Sequence, residues 1–199
     1  MKNILYIKIS KMYNIQVGGI KMIEIIHRFD FAILDFIHNN LSSPIMDKLM
    51  VFITTLGNAG MIWIVIGLIM LCTKKYRKTG VMLVIGLTIG LILGNFILKP
   101  GIARIRPFGI REGIELLIKA PLDYSFPSGH TLASVISAVI ILLCHKKIGY
   151  YTMALAVLIA FSRLYLYVHF PTDIIGGALL GTIIAVISVK IVNRLFDKI

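Results

Sequence analysis

Five stretches of this chain are long and almost purely apolar: residues 49–73, 79–98, 130–144 with their flanks, 148–168 and 172–193. A helix needs roughly 20 mostly apolar residues to cross the hydrocarbon of a bilayer. Four of the runs meet that length directly, and 148–168 meets it if Arg163 lies at its end. With 58% hydrophobic and 15% charged residues among 199, little chain remains for a water-soluble domain. The expected fold is therefore all-α, a polytopic membrane helix bundle of about five transmembrane helices.

A net charge of +12 would suit a nucleic-acid partner, but the basic residues sit in short connectors between the apolar runs. Lys74, Lys75, Arg77 and Lys78 form one connector, Lys146 and Lys147 another, and Lys190, Arg194 and Lys198 the tail. That pattern marks cytoplasmic segments of a multi-pass cell-membrane protein and argues against nucleic acid. Five crossings then bring segments 99–129 and 162–173 together on the extracytoplasmic face. Cys72 and Cys144 fall at the inner ends of spans without metal-ligand spacing, and no disulfide is expected.

The segment 22–43 is expected to precede the membrane domain, which covers 44–199. Within it Glu24, His27, Arg28, Asp35 and His38 share one helical stripe, and Ile26, Phe29, Ile33 and Ile37 the opposite one. Such a helix either lies in the outer interface or packs on the rim of the bundle. Its histidines are expected to be solvated. Residues 1–21 carry Lys2, Lys8, Lys11 and Lys21 on the side where cations are disfavoured. They are expected to be a non-native or disordered extension, with the true start at Met22. Glycines 86, 90 and 94, and likewise 177 and 181, repeat every fourth residue and predict close helix packing.

Three polar clusters interrupt this apolar chain. In "KPGIARIRP", residues 99–107, Pro100 and Gly101 are expected to stop the helix. Lys99, Arg104 and Arg106 then stand at the membrane edge, where lipid headgroups or a bound anion would hold them. In "FPSGH", residues 126–130, Ser128 is a natural N-cap and Gly129 permits close backbone approach. The helix that starts there offers free N–H groups to an anion. In "SRLYLYVHFPTD", residues 162–173, Tyr165 and Tyr167 read as a structural aromatic belt. Asp173 lies close enough to His169 to fix its tautomer and leave the other ring nitrogen free to attack.

Together the clusters hold the parts of phosphoryl transfer through a phosphohistidine: two histidines, one oriented by an acid, several cations and a helix N-terminus. Two histidines and an aspartate also suit zinc or iron. Lys99, Arg106 and Arg163 would repel such an ion and suit a phosphate, so no metal or cofactor is expected.

At these residues the sequence resembles the type 2 phosphatidic acid phosphatase family, which shares its active site with vanadium haloperoxidases. The family's motifs are all present and correctly spaced: Lys99 with Arg106-Pro107, Pro127 to His130, and Ser162-Arg163 with His169 and Asp173. The resemblance implies that His169 is the nucleophile, Asp173 its orienting acid and His130 the general acid. It implies that Lys99, Arg106, Ser128, Gly129 and Arg163 hold the phosphate, without a metal. Many bacterial relatives look like six-span proteins, so the N-terminal architecture here departs from them.

A site at the outer headgroup level suits a lipid phosphate delivered by the bilayer. Small size and an outward site resemble members acting on undecaprenyl diphosphate; phosphatidate or phosphatidylglycerol phosphate is the alternative. A non-enzymatic lipid-binding or transport protein on the same scaffold would need neither the nucleophile nor the acid. Segment 108–125 is expected to cap the site, with Arg111, Glu112 or Lys119 tuning selectivity. Oligomeric state is not legible in the sequence.

Overall fold

The computed structural model describes residues 23–197, and every regular element among them is helical. The expectations for residues 1–21 and for a start at Met22 lie outside the described residues. Helix α1 covers residues 23–41. It is followed by α2 (Pro44–Leu56), a 3₁₀ turn (Asn58–Gly60) and α3 (Met61–Cys72). Helix α4 (Arg77–Gly90) passes through a π-helical stretch (Leu91–Leu98) into α5 (Lys99–Ile102), with α6 (Pro107–Ile110) just beyond. Helices α7 (Gly129–Cys144), α8 (Lys146–Tyr165) and α9 (Pro171–Phe196) complete the chain.

By length and apolarity, the continuous stretch Arg77–Ile110 and helices α8 and α9 can each cross a membrane. Helices α2 and α3 make a fourth crossing if their 43° bend lies within one span. The chain is thus a multi-pass membrane protein. The expected five crossings are not all met on length, because α7 has 16 residues and rises only about 24 Å. The run 49–73 is also not one straight helix. It breaks at Gly57–Gly60, where Ala59 (φ 51°) and Gly60 (φ 68°) are left-handed.

Helix α7 is the axis of the bundle, packed against α4, α8 and α9. Its Ile136 and Ile140 join Met82, Leu83, Ile184 and Ala185 in one core, while Trp63, Ile159 and Val168 anchor a second. The indole N–H of Trp63 donates to Ser134 Oγ at 2.9 Å, so the aromatic is buried without an orphaned donor. The expected glycine faces exist. A Cβ on Gly90 would stand 2.5 Å from Ile136 Cδ1, and one on Gly94 would stand 2.4 Å from Leu132 Cδ2. On the far side, Gly177 and Gly181 let α9 approach the backbone oxygens of Ser128 and Leu132. Phe52, Phe96, Leu179 and other large apolar side chains point outward, as lipid-facing positions would.

Pro100 does not stop its helix. The α-helical turn continues to Ile102 and ends at Ala103, whose φ of 51° closes it with a bond from its N–H to Lys99 O. A proline is tolerated there because it sits in the first turn of α5, after π-helical turns that have already shifted the hydrogen-bond register.

Helix α1 docks on the rim of the bundle through a mixed face: Asp30, Leu34 and Ile37 are buried there. Ile25, Ile26, Phe29 and Phe36 are left outward. Of the apolar stripe Ile26, Phe29, Ile33 and Ile37, only part therefore packs on the bundle. A buried carboxylate and its partners fix the helix instead.

Candidate active site

Helix α8 ends at Tyr165 and the chain must reverse before α9 starts at Pro171. Tyr167 makes that turn in the left-handed region, at φ 57°, a conformation that costs a non-glycine residue roughly 1–2 kcal/mol. Its phenol donates to Asp35 Oδ1 at 2.8 Å, and Tyr165 donates to Asp47 Oδ1 at 2.6 Å. Both tyrosines are buried. They are struts holding the loop, not the membrane-surface belt their sequence suggests, because a buried phenol needs an acceptor and each finds a carboxylate.

The turn delivers His169 into the interior at 1% exposure. Its Nδ1 lies 3.5 Å from Asp173 Oδ2, one helical turn on, and 3.4 Å from Ser125 Oγ. Its Nε2 faces Arg106 Nη1 at 3.1 Å. Burial, then the charges of Arg106 and Arg163, lower the imidazole pKa to about 3 against the opposing pull of Asp173. A neutral ring is a competent nucleophile at physiological pH.

Asp173 is fully buried and accepts from Ser125 Oγ, from Phe170 N at 2.9 Å and from Arg104 Nη1 at 2.6 Å. Arg104 also reaches Asp30 Oδ2 at 2.6 Å, and Asp30 accepts from Thr172 N at 3.0 Å and Thr172 Oγ1 at 2.6 Å. Arg104 therefore does not join Lys99 and Arg106 in an anion site. It turns behind the histidine and bridges two buried carboxylates, one of them from α1.

The remaining cations converge on the other side of His169. Lys99 (6% exposed), Arg106 (5%) and Arg163 (3%) line a cavity of about 900 Å3 together with Gly129, His130 and His169. Arg163 donates from Nη1 to Thr54 Oγ1 at 2.6 Å, while its buried Nε has no partner among the described residues. A buried guanidinium left this incomplete is suited to an anion that is not part of the chain. Gly129 opens on the same space: a Cβ there would stand 3.9 Å from Lys99 Nζ and 3.4 Å from Asn95 Oδ1. The N–H groups of Gly129 and His130, in the first turn of α7, lie beyond the reach of intrahelical acceptors.

Of the residues expected to hold phosphate, Ser128 is the one that does not face the cavity. It is fully buried, its Oγ accepts from Thr131 N and Thr131 Oγ1, and it does not line the cavity. Capping α7 has turned the hydroxyl inward.

Several groups on the site were not legible beforehand. Asp123, in the cap, pairs with both Lys99 and Arg106, at 2.7 Å to the latter, and its carbonyl oxygen accepts from Arg106 Nε at 2.8 Å. Burial opposes its ionisation, but the two cations prevail and hold its pKa down to about 2. His130 meets Asn58 Oδ1 at 3.1 Å and packs over Gly57, where a Cβ would stand 2.7 Å from its ring. The bend between α2 and α3 thus makes room for a site histidine. Of the cap residues expected to tune selectivity, Lys119 reaches the cavity. Arg111 does not: it pairs with Asp35 at 2.5 Å and stacks on Phe31, tying the cap to α1.

Away from the charged end, the cavity continues between α3 and α4 along Ile64, Leu68, Val84 and Leu91, all of them partly exposed on the flank of the bundle. One end is built for an anion and the other for an apolar chain.

The sequence profile of the PAP2 superfamily matches residues 78–197, a stretch holding all three polar clusters. A protein of Sulfolobus acidocaldarius named undecaprenyl-diphosphatase is 40% identical over 73% of this chain and 70% of its own length. Phosphatidylglycerophosphatase B of Bacillus subtilis is 35% identical over 72% of this chain and 74% of its own. The crystal structure of a transmembrane PAP2-type phosphatidylglycerolphosphate phosphatase from Bacillus subtilis superposes with a TM-score of 0.68 at 29% identity, covering 88% of each chain. With the matched stretch spanning the site and these relatives spanning most of the fold, the chain belongs to the PAP2 superfamily and is a phosphatase of that family.

Proposed function

We propose that this phosphatase removes the terminal phosphate of a membrane lipid diphosphate, converting undecaprenyl diphosphate to undecaprenyl phosphate. The observation that carries the proposal is the continuous cavity. Three buried cations and a neutral histidine lie at one end, and an apolar trench open on the flank of the bundle lies at the other. The name of the Sulfolobus acidocaldarius relative supports the same substrate. Phosphatidylglycerol phosphate is the second substrate, favoured by the Bacillus subtilis relative and structure.

In the proposed reaction, Lys99, Arg106, Arg163 and the N–H groups at Gly129 and His130 bind the terminal phosphoryl oxygens. The freed Nε2 of His169 attacks phosphorus, and the bond to the bridging oxygen breaks as His130 gives that oxygen a proton. Asp173 keeps Nδ1–H in place and stabilises the charge that His169 acquires. Water then attacks the phosphohistidine, the P–N bond breaks, its electrons return to the imidazole, and inorganic phosphate leaves. His130 takes the proton from that water, as microscopic reversibility of its first role requires.

In this proposal α7 is a fifth crossing that begins below the outer surface, at the floor of the cavity, so a short helix suffices. Helix α1 then lies along the outer rim with Ile25 and Phe29 toward lipid, and the basic connectors lie in the cytoplasm.

The test is phosphate release by the detergent-purified protein from undecaprenyl diphosphate, phosphatidate, phosphatidylglycerol phosphate and a soluble diphosphate in parallel. The expected preference is for undecaprenyl diphosphate, with activity retained in excess chelator and abolished in His169→Ala. Appreciable turnover by His169→Ala, or loss in chelator reversed only by added metal, overturns the mechanism.

A further inference from the structure

The carboxylate of Asp123 occupies a peculiar place. Its side chain is 53% exposed, yet both its oxygens are committed to buried cations, Oδ2 to Lys99 Nζ and Oδ1 to Arg106 Nη2. Those are two of the three cations that border the cavity beside His169. With Asp123 in position the Arg106 guanidinium has no free edge. Nε donates to Asp123 O, Nη1 to Val168 O at 2.6 Å and toward His169 Nε2, and Nη2 to Asp123 Oδ1 and Tyr124 O. The lone pair of His169 that must attack phosphorus is therefore held by the same guanidinium that Asp123 holds. Arg163, by contrast, keeps its Nε unpartnered among the described residues.

We propose that Asp123 is a specificity-determining residue, a tethered anion that competes with phosphate for Lys99 and Arg106. The inference rests on the assignment of these cations to substrate phosphate. A carboxylate offers one negative charge and two oxygens, whereas a terminal phosphate monoester offers two charges and three oxygens, with Arg163 and the start of α7 ready for the surplus. Such a group displaces Asp123 into solvent, which its half-exposed position permits, and draws Arg106 off the lone pair of His169. A singly charged phosphodiester gains too little to do so. After hydrolysis the carboxylate returns and helps expel inorganic phosphate.

The competition has a size. A ligand that binds only when a competing arrangement is absent loses affinity by the fraction of time the site is free. If Asp123 holds the cations for all but about a tenth of the time, removing its charge tightens phosphate about tenfold.

The experiment measures binding of inorganic phosphate by calorimetry to the full-length detergent-solubilised protein carrying His169→Ala, so that no turnover intervenes. The same protein with Asp123→Asn is expected to bind about tenfold more tightly, and with Asp123→Glu, which keeps the charge, close to the parent. Unchanged or weaker binding with Asp123→Asn overturns the proposal, since it would make the carboxylate a neutral bystander or a support for the cations. Phosphate release by the unmodified protein tests the lipid-phosphatase assignment separately. A failure there leaves the binding comparison between the Asp123 variants intact, and a failure of that comparison leaves turnover intact.

Discussion

Replacing Arg104 by Gln should damage both stability and the chemical step. The guanidinium is 16% exposed and stands 2.6 Å from each of two fully buried carboxylates, Asp30 and Asp173. It also covers the ring of Phe170 at 4.1 Å. Removing one partner of a buried ion pair costs about 3–5 kcal/mol, because the other charge is stranded. Here two are stranded, though Thr172 still satisfies Asp30 and Ser125 and Phe170 N still satisfy Asp173. We expect a loss within that range in denaturant unfolding, followed in detergent. Adding Asp30→Asn to the variant removes one stranded charge and should recover on the order of 1–3 kcal/mol. Turnover should fall about 10–100-fold, the usual cost of losing a group that orients a catalytic residue. It should not recover in the double variant, because Asp173 still lacks its guanidinium. The pH profile supplies a readout that a merely structural role would not move. Besides Asp173, the groups facing His169 are Arg106, Arg163 and the Ser125 hydroxyl. Only the neutral imidazole attacks, so the rate falls as pH drops through the pKa of His169. Taking away a nearby positive charge makes that ring easier to protonate, and the acid limb should move to higher pH. An unshifted limb, or a double variant no more stable than Arg104→Gln alone, would refute the bridging role.

Four further outcomes follow from the same geometry. His130→Ala should slow hydrolysis of a lipid diphosphate by on the order of 10²–10⁴-fold. It should matter much less for an aryl phosphate whose leaving oxygen needs no proton, and equal losses on both would remove the general-acid assignment. Gly149→Ala should cost about 1–3 kcal/mol in thermal unfolding, because a Cβ there would meet the backbone Cα of Leu142 at 2.3 Å. Gly90→Ala should cost less, since it meets the movable end of Ile136. Arg111→Ala should leave the ratios of turnover across the lipid panel unchanged, since Arg111 faces Asp35 and Phe31 and not the cavity. A changed ratio would show that the tie between cap and α1 reaches the substrate.

How much of this was legible depended on range. Lys99, Arg106, His130, Arg163, His169 and Asp173 announce themselves because charge is costly in an apolar chain, and their local spacing marks helix starts and ends. The cavity brings the first five together and sets Asp173 directly behind His169. Asp30 carries no such signal: it belongs to neither stripe of α1, and its partner Arg104 is 74 residues away. Asn58 lies 72 residues from His130, at a bend that hydrophobicity alone reads as one continuous span. Ser128 lies turned from the cavity for a reason its sequence does not carry. Capping a helix and binding an anion above it call for the same residue, and only the direction of the hydroxyl separates them.

The charges of the site are sorted by where they face. Behind His169, the single cation Arg104 serves two carboxylates, Asp30 and Asp173, and leaves that layer one negative charge in excess. In front, Lys99 and Arg106 share the one carboxylate of Asp123, and with Arg163 that layer holds two positive charges in excess. In the proposed exchange of Asp123 for a phosphate dianion the frontal excess should fall to one before the proton on His130 is counted, and the rear layer offsets that one. Bound phosphate should thus bring the two layers closer to balance, and opposite charges facing each other across the nucleophile make their burial tolerable. It follows that charge removed from the rear should be felt in front: Asp30→Asn, with Arg104 intact, takes away a negative charge behind His169 and should lower the proton affinity of that ring. Its acid limb should move to lower pH, opposite to that of Arg104→Gln. A common direction for the two variants would mean that the layers act through packing and not through charge.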